Sequence, residues 1–249
     1  MTDRLLRHDT AAKLAAADRL VRRLDPAFRL ADARVLDVGC GRGRVLAALR
    51  ALGVEVVTGL DDFGDASHAA ADPRADLARI GAVAVAHDLA RIPWPLADAA
   101  FDLVLCFNTL EHLHEGPRRV LAEVRRVLRP GGLVVLGEPN AVCLYKRLRV
   151  LAGRTNYPRF DAWWRDVPWR GHVREAAPGE LRRALELAGF ATAPEIGLDC
   201  ELPVRLGRAY PLYGALVSLA PASFGEVLFC AGAERGGGHA STTPFQPLL

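Results

Sequence analysis

Val35-Leu36-Asp37-Val38-Gly39-Cys40-Gly41-Arg42-Gly43 is the stretch that decides the fold. An apolar run ends in glycines at alternate positions and passes straight into a helical pattern from Arg44 to Leu52. That order predicts a strand, a tight loop and a helix. Glycine lets a backbone turn sharply and approach a ligand closely. Open parallel sheets bind ligands at the carboxyl ends of their strands. Dinucleotide binders space their glycines as G-x-G-x-x-G, and here Arg44 stands where the third glycine would be. An acid, Asp37, precedes the first glycine by two residues. A carboxylate there repels a phosphate and suits an ammonium. Asp37 with Gly39, Cys40, Gly41 and Gly43 therefore points to a positively charged, phosphate-free ligand, with a plain strand–helix turn as the alternative.

The same alternation continues outward. Glu55–Leu60, Ala82–Ala86, Phe101–Phe107 and Leu133–Gly137 read as strands. Ala66–Ile80, interrupted by Pro73, and Pro117–Leu128 read as helices between them. The second helix is stopped by Arg129-Pro130-Gly131-Gly132. Several of these strands are continuously apolar, which is the signature of a parallel sheet covered by helices on both faces.

Each strand end carries a polar residue. Asp61 follows the second strand, 22 positions after Gly39, where a carboxylate can accept both hydroxyls of a ribose. Asp62 competes for that role. Asp88 follows the third strand and suits an adenine amino group, with Leu89 beside the ring; a turn acid is the alternative. Asn108 ends the fourth strand and faces either the ligand's amino-acid part or a substrate, unless it is only a turn residue.

Outside this core, Thr10–Leu24 reads as an amphipathic helix within an N-terminal helical extension, residues 1–30. Residues 141–171 break the pattern. They hold Trp163, Trp164 and Trp169 with Lys146, Arg147, Arg149 and Arg154, and read as a substrate lid or insertion. One short helix, Val142–Leu151, is expected inside it. Pro178–Ala188 is helical, and Glu195–Leu198 with Gly225–Ala231 suggests a final antiparallel pair. Residues 235–249 read as a flexible tail. No boundary splits residues 1–249, so a single domain is expected.

Composition narrows the class. The chain has 249 residues, 51% of them hydrophobic and 24% charged, which excludes a mostly disordered chain. The net charge is +3, and Lys13 and Lys146 are its two lysines. The basic residues are dispersed and no RNA-binding module is evident, so nucleic acid is a disfavoured partner. Cys40, Cys106, Cys143, Cys200 and Cys230 are scattered, as reduced core thiols of a cytoplasmic protein would be. The polar first residues do not resemble a secretory signal, and no run is long and apolar enough for a membrane span.

Taken in order, these motifs resemble the class I S-adenosylmethionine-dependent methyltransferases. The run Phe101-Asp102-Leu103-Val104 with Leu110-Glu111-His112-Leu113 is similar to their small-molecule branch, as is Leu121–Leu128. So are Gly171-His172-Val173-Arg174 and the helix after it. The resemblance covers roughly residues 30–200. It implies a Rossmann-like α/β fold whose seven-stranded, mostly parallel sheet ends in an antiparallel strand. It also implies S-adenosyl-L-methionine as cofactor. Asp37, Gly39, Cys40, Gly41 and Gly43 would hold its methionine part, and Asp61, with Asp62 as rival, its ribose. Asp88 and Leu89 would flank the adenine, and Asn108 would line the transfer side.

The implied reaction is methyl transfer to a small-molecule acceptor, at a hydroxyl oxygen of a secondary metabolite or glycan precursor. A hydroxyl acceptor benefits from a general base, and His172 and His112 are the catalytic candidates, with His114 behind them. No metal is expected, because His112 and His114 are two apart and no cysteine pair joins them. An RNA methyltransferase, a nicotinamide-dependent oxidoreductase and a non-catalytic methyltransferase-like subunit are the rival readings. A homodimer is compatible with the sequence.

Overall fold

The structure is a computed structural model that describes residues 3–64 and 72–235, with side chains from residue 7 onward. Strands β1 (Arg34–Val38), β2 (Val56–Asp61), β3 (Val83–Ala86), β4 (Phe101–Phe107) and β5 (Leu128–Pro139) lie parallel in the order β3-β2-β1-β4-β5. The central strands β1 and β4 are buried along nearly their whole length. Successive side chains of a strand point to opposite faces. Val35, Leu103, Leu105, Leu133 and Val135 therefore pack on one side with Ala16, Leu20 and Leu49. Leu36, Val38, Val104, Cys106, Val134 and Leu136 pack on the other with Val120, Val124 and Leu185. A sheet buried on both faces has no polar side to alternate with, which explains the continuous apolar runs.

The helices that make those two layers are α1 (Asp3–Leu24), α2 (Arg44–Ala51), α3 (Pro73–Arg79), α4 (Arg118–Val127) and α7 (Glu180–Leu187). Helix α1 buries Ala16, Ala17, Leu20 and Val21 over the sheet, so the expected extension is a packed layer of the fold. The start of the expected Ala66–Ile80 helix falls at residues 65–71, outside the described residues. Asp72 caps the helix that follows by accepting the Arg74 N–H at 3.0 Å, with Pro73 in its first turn.

The far edge departs from expectation in number rather than direction. Strand β8 (Val227–Glu234) runs antiparallel to β5. Two short pieces, β6 (Phe190–Thr192) and β7 (Ile196–Leu198), both pair with β8. Between them, across Pro194-Glu195, the register slips by one residue, and Pro194 has no N–H to donate. The eight strands among the described residues are thus a seven-strand plan with one edge strand broken in two. Arg129-Pro130-Gly131-Gly132 is a bulge inside β5 rather than a turn before it, with Arg129 paired to Asp102.

The segment after β5 carries α5 (Leu144–Leu151) and α6 (Phe160–Arg165). Residues 199–224 form α8 (Leu202–Leu206), α9 (Tyr210–Leu219) and α10 (Pro221–Phe224), which the sequence reading left unassigned. Residues 236–249 lie outside the described residues. Among the described residues no helix is long and apolar enough to cross a membrane, and all five cysteines are free and buried.

Candidate cofactor and acceptor cleft

A cleft of about 490 Å³ opens over the carboxyl ends of β1 to β4, within the size range of small-molecule sites. Gly39, Gly41, Asp61, Asp62, Asp88, Leu89, Asn108 and His112 all line it. Gly39 has φ +74°, and a Cβ there would come within 2.1 Å of Thr109 Oγ1. Only glycine fits that close approach. The Gly41 N–H donates to Asp61 Oδ2 at 2.9 Å and the Phe63 N–H donates to Oδ1 at 2.7 Å. Asp61 therefore anchors the glycine loop while its carboxylate faces the cleft. Asp62 accepts both bonds from Arg170 Nη2, at 2.9 and 2.7 Å. That contact separates the two acids, with Asp61 on the loop and Asp62 on the lid. Asp88 Oδ1 accepts the Ala90 N–H at 2.9 Å, so it is a turn acid and a cleft residue at once. Asn108 holds φ 52°, and its Oδ1 is buried without a hydrogen-bond partner.

Four expected residues lie off the wall. Asp37 is buried beneath the loop, on the α1 face. Burial pushes its carboxyl up to about 7, Lys13 pulls it down and Asp61 pushes it further up. Cys40 is buried against Gly59, and burial together with the Asp37 and Asp61 carboxylates drives its thiol far up. Gly43 caps α2 in the left-handed region and faces Leu77. His172 stands behind His112, with ring centroids 5.0 Å apart and planes at 86°.

The lid is only partly a lid. Pro168, Trp169 and Arg170 line the cleft. Trp163 and Trp164 do not; they cluster with Phe160 and are 55% and 70% exposed. Lys146 is taken by Glu175 and the Asn140 carbonyl, Arg147 by Ser223 and Val142, and Arg149 by the Thr155 carbonyl. None of these three cations lines the cleft. Arg42, beside the glycine loop, pairs with Asp76.

Sequence reasoning missed Glu111 as a site residue. The 3₁₀ turn Leu110–His112 carries it, and Glu138 of β5 holds that turn by accepting the Leu110 and Glu111 N–H groups at 3.1 and 3.0 Å. Burial and the neighbouring Glu111 carboxyl push Glu138 well up. The Glu111 carbonyl accepts the Val173 N–H at 2.7 Å, which brings His172 alongside. His112 Nδ1 donates to the Arg170 carbonyl at 2.8 Å, and His172 Nδ1 bonds Glu175 at 2.9 Å. Both Nε2 atoms stand 3.8 Å from Glu111 Oε1. The bond to Glu175 raises the His172 pKa against the cost of burial. An acid inside an apolar run, as at Leu136-Gly137-Glu138, was the available signal.

The methyltransferase-domain family profile matches residues 6–194. The chain belongs to the class I S-adenosylmethionine-dependent methyltransferases. A Mycolicibacterium smegmatis protein described as a probable S-adenosylmethionine-dependent methyltransferase is 34% identical over 175 residues. That match covers 69% of this chain and 57% of the relative. The ubiquinone biosynthesis O-methyltransferase of Maricaulis maris is 27% identical over 166 residues, covering 67% of this chain and 62% of the relative. The match thus spans less than two thirds of either relative's length. The crystal structure of a Thermotoga maritima SAM-dependent methyltransferase shares the fold, with a TM-score of 0.60 at 16% identity, over 93% of this chain and 92% of that one. The cofactor of this methyltransferase family is S-adenosylmethionine. The cleft fits it through the bare Gly39, the Asp61 carboxylate and the unpartnered Asn108 Oδ1.

Proposed function

We propose that this chain transfers the methyl group of S-adenosylmethionine to a hydroxyl oxygen of a small molecule, of the secondary-metabolite or glycan-precursor kind. One observation carries the reading. A single cleft gathers the glycine loop after β1, the acids after β2 and β3, and Asn108 after β4. Gly39 and Gly41 approach the methionine end, with the Asp37 charge beneath them. Asp61 takes the ribose hydroxyls, with Asp62 tied up by Arg170. Asp88 and Leu89 flank the adenine.

The cofactor supplies an activated sulfonium methyl. The chain must then hold the acceptor oxygen in line with the carbon–sulfur bond, at about 3 Å from the methyl. The acceptor's O–H bond breaks, an O–CH₃ bond forms, and the C–S pair stays on sulfur. One proton is released. His112, on the cleft wall, with His172 behind it, serves as the group that draws that proton away. Trp169 gives the acceptor an apolar surface. The O-methyltransferase named among the relatives supports oxygen as the target.

Calorimetric titration with S-adenosylhomocysteine and with NADH tests this reading. S-adenosylhomocysteine should bind in the micromolar range, and Asp61→Ala should weaken it about 10–150-fold, since hydrogen bonds to a charged group are worth roughly 1.5–3 kcal/mol. Binding of NADH in its place, by folded protein, would replace this reading with an oxidoreductase.

A further inference from the structure

Glu111 is fully buried, and apart from the Glu138 carboxyl that hydrogen-bonds it neither carboxylate oxygen has a protein partner. Buried charge persists where something of opposite sign meets it. Besides Glu138, two imidazole nitrogens face Glu111 Oε1, His112 Nε2 and His172 Nε2, each at 3.8 Å. The His112 Nδ1 hydrogen is spent on the Arg170 carbonyl, so Nε2 offers a lone pair. His172 Nδ1 is held in the same way by the Glu175 carboxylate, which Lys146 also grips. Metal-ligating histidines are oriented by this kind of outer acceptor, a carbonyl or a carboxylate on the far nitrogen. The rings meet edge to face at 86°, which lets the two Nε2 atoms converge on one point instead of stacking.

We propose that Glu111, His112 and His172 bind one divalent transition-metal ion of the zinc type. The three donor atoms lie within 4.8 Å of one another. Zinc bonds of about 2.0–2.2 Å place neighbouring ligands roughly 3.3 Å apart, so closing on the ion asks each donor to move only a few tenths of an ångström. Two imidazoles and one carboxylate suit zinc, iron, cobalt or manganese better than calcium or magnesium, which prefer all-oxygen shells. His172 is partly exposed and His112 lines the cleft, so an ion can enter and keep open positions. The sequence argument against a metal paired His112 with His114. In the structure His114 Nε2 bonds the Trp169 carbonyl, and the partner of His112 is His172.

The ion's role rests on the cleft being the site of methyl transfer. A bound cation lowers the pKa of an oxygen ligand. An acceptor hydroxyl on the ion would release its proton to solvent and attack the methyl as an oxyanion, with the histidines acting as ligands instead of bases. The acceptor class is then a hydroxyl able to bind a metal, such as a phenol or catechol.

The test reads the metal directly. Metal-stripped protein is titrated with Co²⁺ while the visible d–d absorption is followed, then challenged with Zn²⁺. One equivalent should give a saturating band that Zn²⁺ removes. His172→Ala should abolish the band, and Glu175→Gln should weaken Co²⁺ binding about 10–100-fold, as loss of an outer partner does. S-adenosylhomocysteine titration of each variant reports whether the fold is intact, and Glu175→Gln decides the matter if His172→Ala does not fold. Absence of the band in folded wild-type protein overturns the proposal, as does Co²⁺ binding unchanged in the variants. Failure of wild-type protein to bind S-adenosylhomocysteine would instead strike the methyltransferase reading, since the cobalt titration does not depend on the cofactor.

Discussion

The two walls of the cleft are built by different means. On the proposed cofactor wall, Gly39, Asp61, Asp88 and Asn108 each sit at, or within two residues of, the end of a parallel strand. Sheet register places them, and the register is enforced by buried side chains on both faces. On the proposed acceptor wall, His112 comes from a 3₁₀ turn, His114 from just after it, and Trp169 and Arg170 from an irregular loop. Side-chain hydrogen bonds hold them, with His112 on the Arg170 carbonyl and His114 on the Trp169 carbonyl. A site fixed by the sheet is inherited with the fold, whereas one fixed by individual bonds can be retuned residue by residue.

Two glycines on opposite walls give the sharpest way to break that comparison. Gly39 and Gly116 both line the cleft with positive φ, +74° and +75°. A Cβ at Gly39 meets Thr109 Oγ1 at 2.1 Å, and that hydroxyl is wedged between the Val38 and Phe107 carbonyls. A Cβ at Gly116 meets nothing within 4 Å. Gly39→Ala should cost more than about 3 kcal/mol, the range of overpacking added to backbone strain. Gly116→Ala should cost about 1–2 kcal/mol, the strain alone. Urea unfolding of the two variants measures both, and equal losses would remove the distinction between the walls.

The same distinction explains what the sequence revealed. The strands, the glycine loop and the acids at strand ends were legible because periodicity and glycine spacing are local signals. The separation of Asp61 from Asp62 was not visible in the sequence, because the contact that ties Asp62 to the lid comes from Arg170, 108 residues away. Trp163 and Trp164 were expected in the acceptor site on composition, yet only Trp169 lines the cleft, since composition does not say which way a loop faces. The Glu111 cluster was hidden for a similar reason. His172 joins it through backbone bonds from Val173 and Arg174 to the Glu111 carbonyl, which no spacing rule anticipates. Helices α8 to α10 went unread because α9 is apolar nearly all round and leaves Leu212 and Leu219 exposed, so it carries no helical stripe.

Asp37 sharpens the comparison from beneath the cofactor wall. Its carboxyl titrates near 7 because burial and Asp61 disfavour the charge more than Lys13 favours it, with Cys40 and Cys106 as the nearby thiols. The folded pKa is raised, so the proton is held more tightly in the folded state. Its contribution to stability is therefore fullest below the unfolded value near 4 and is lost as pH rises to 7. The ammonium group of a bound ligand favours the ionised form and reverses that preference on binding. Affinity for S-adenosylhomocysteine should rise about tenfold between pH 6 and pH 8, while the ligand's amine stays protonated. Asp37→Asn should bind more weakly at pH 8 and show a flat profile. A wild-type profile as flat as the variant's would mean that the buried acid does not sense the ligand.

The smallest effect belongs to the joint between the walls. Arg170 bonds Asp62 from the lid, and its backbone carbonyl receives His112 Nδ1. The pair is half exposed, at 50% and 36%, so it adds less than about 1 kcal/mol to stability. Arg170→Ala removes the bridge and keeps the carbonyl, so His112 keeps its orientation. Thermal stability should change little, while S-adenosylhomocysteine should dissociate a few-fold faster because the lid is no longer tied to the cofactor side. Raising the salt concentration should speed dissociation from the wild type and leave the variant nearly unaffected, since screening acts on the same contact. Stopped-flow displacement at two ionic strengths measures this. An equal salt response in both proteins would mean that the walls are joined elsewhere and that Asp62–Arg170 is an ordinary surface pair.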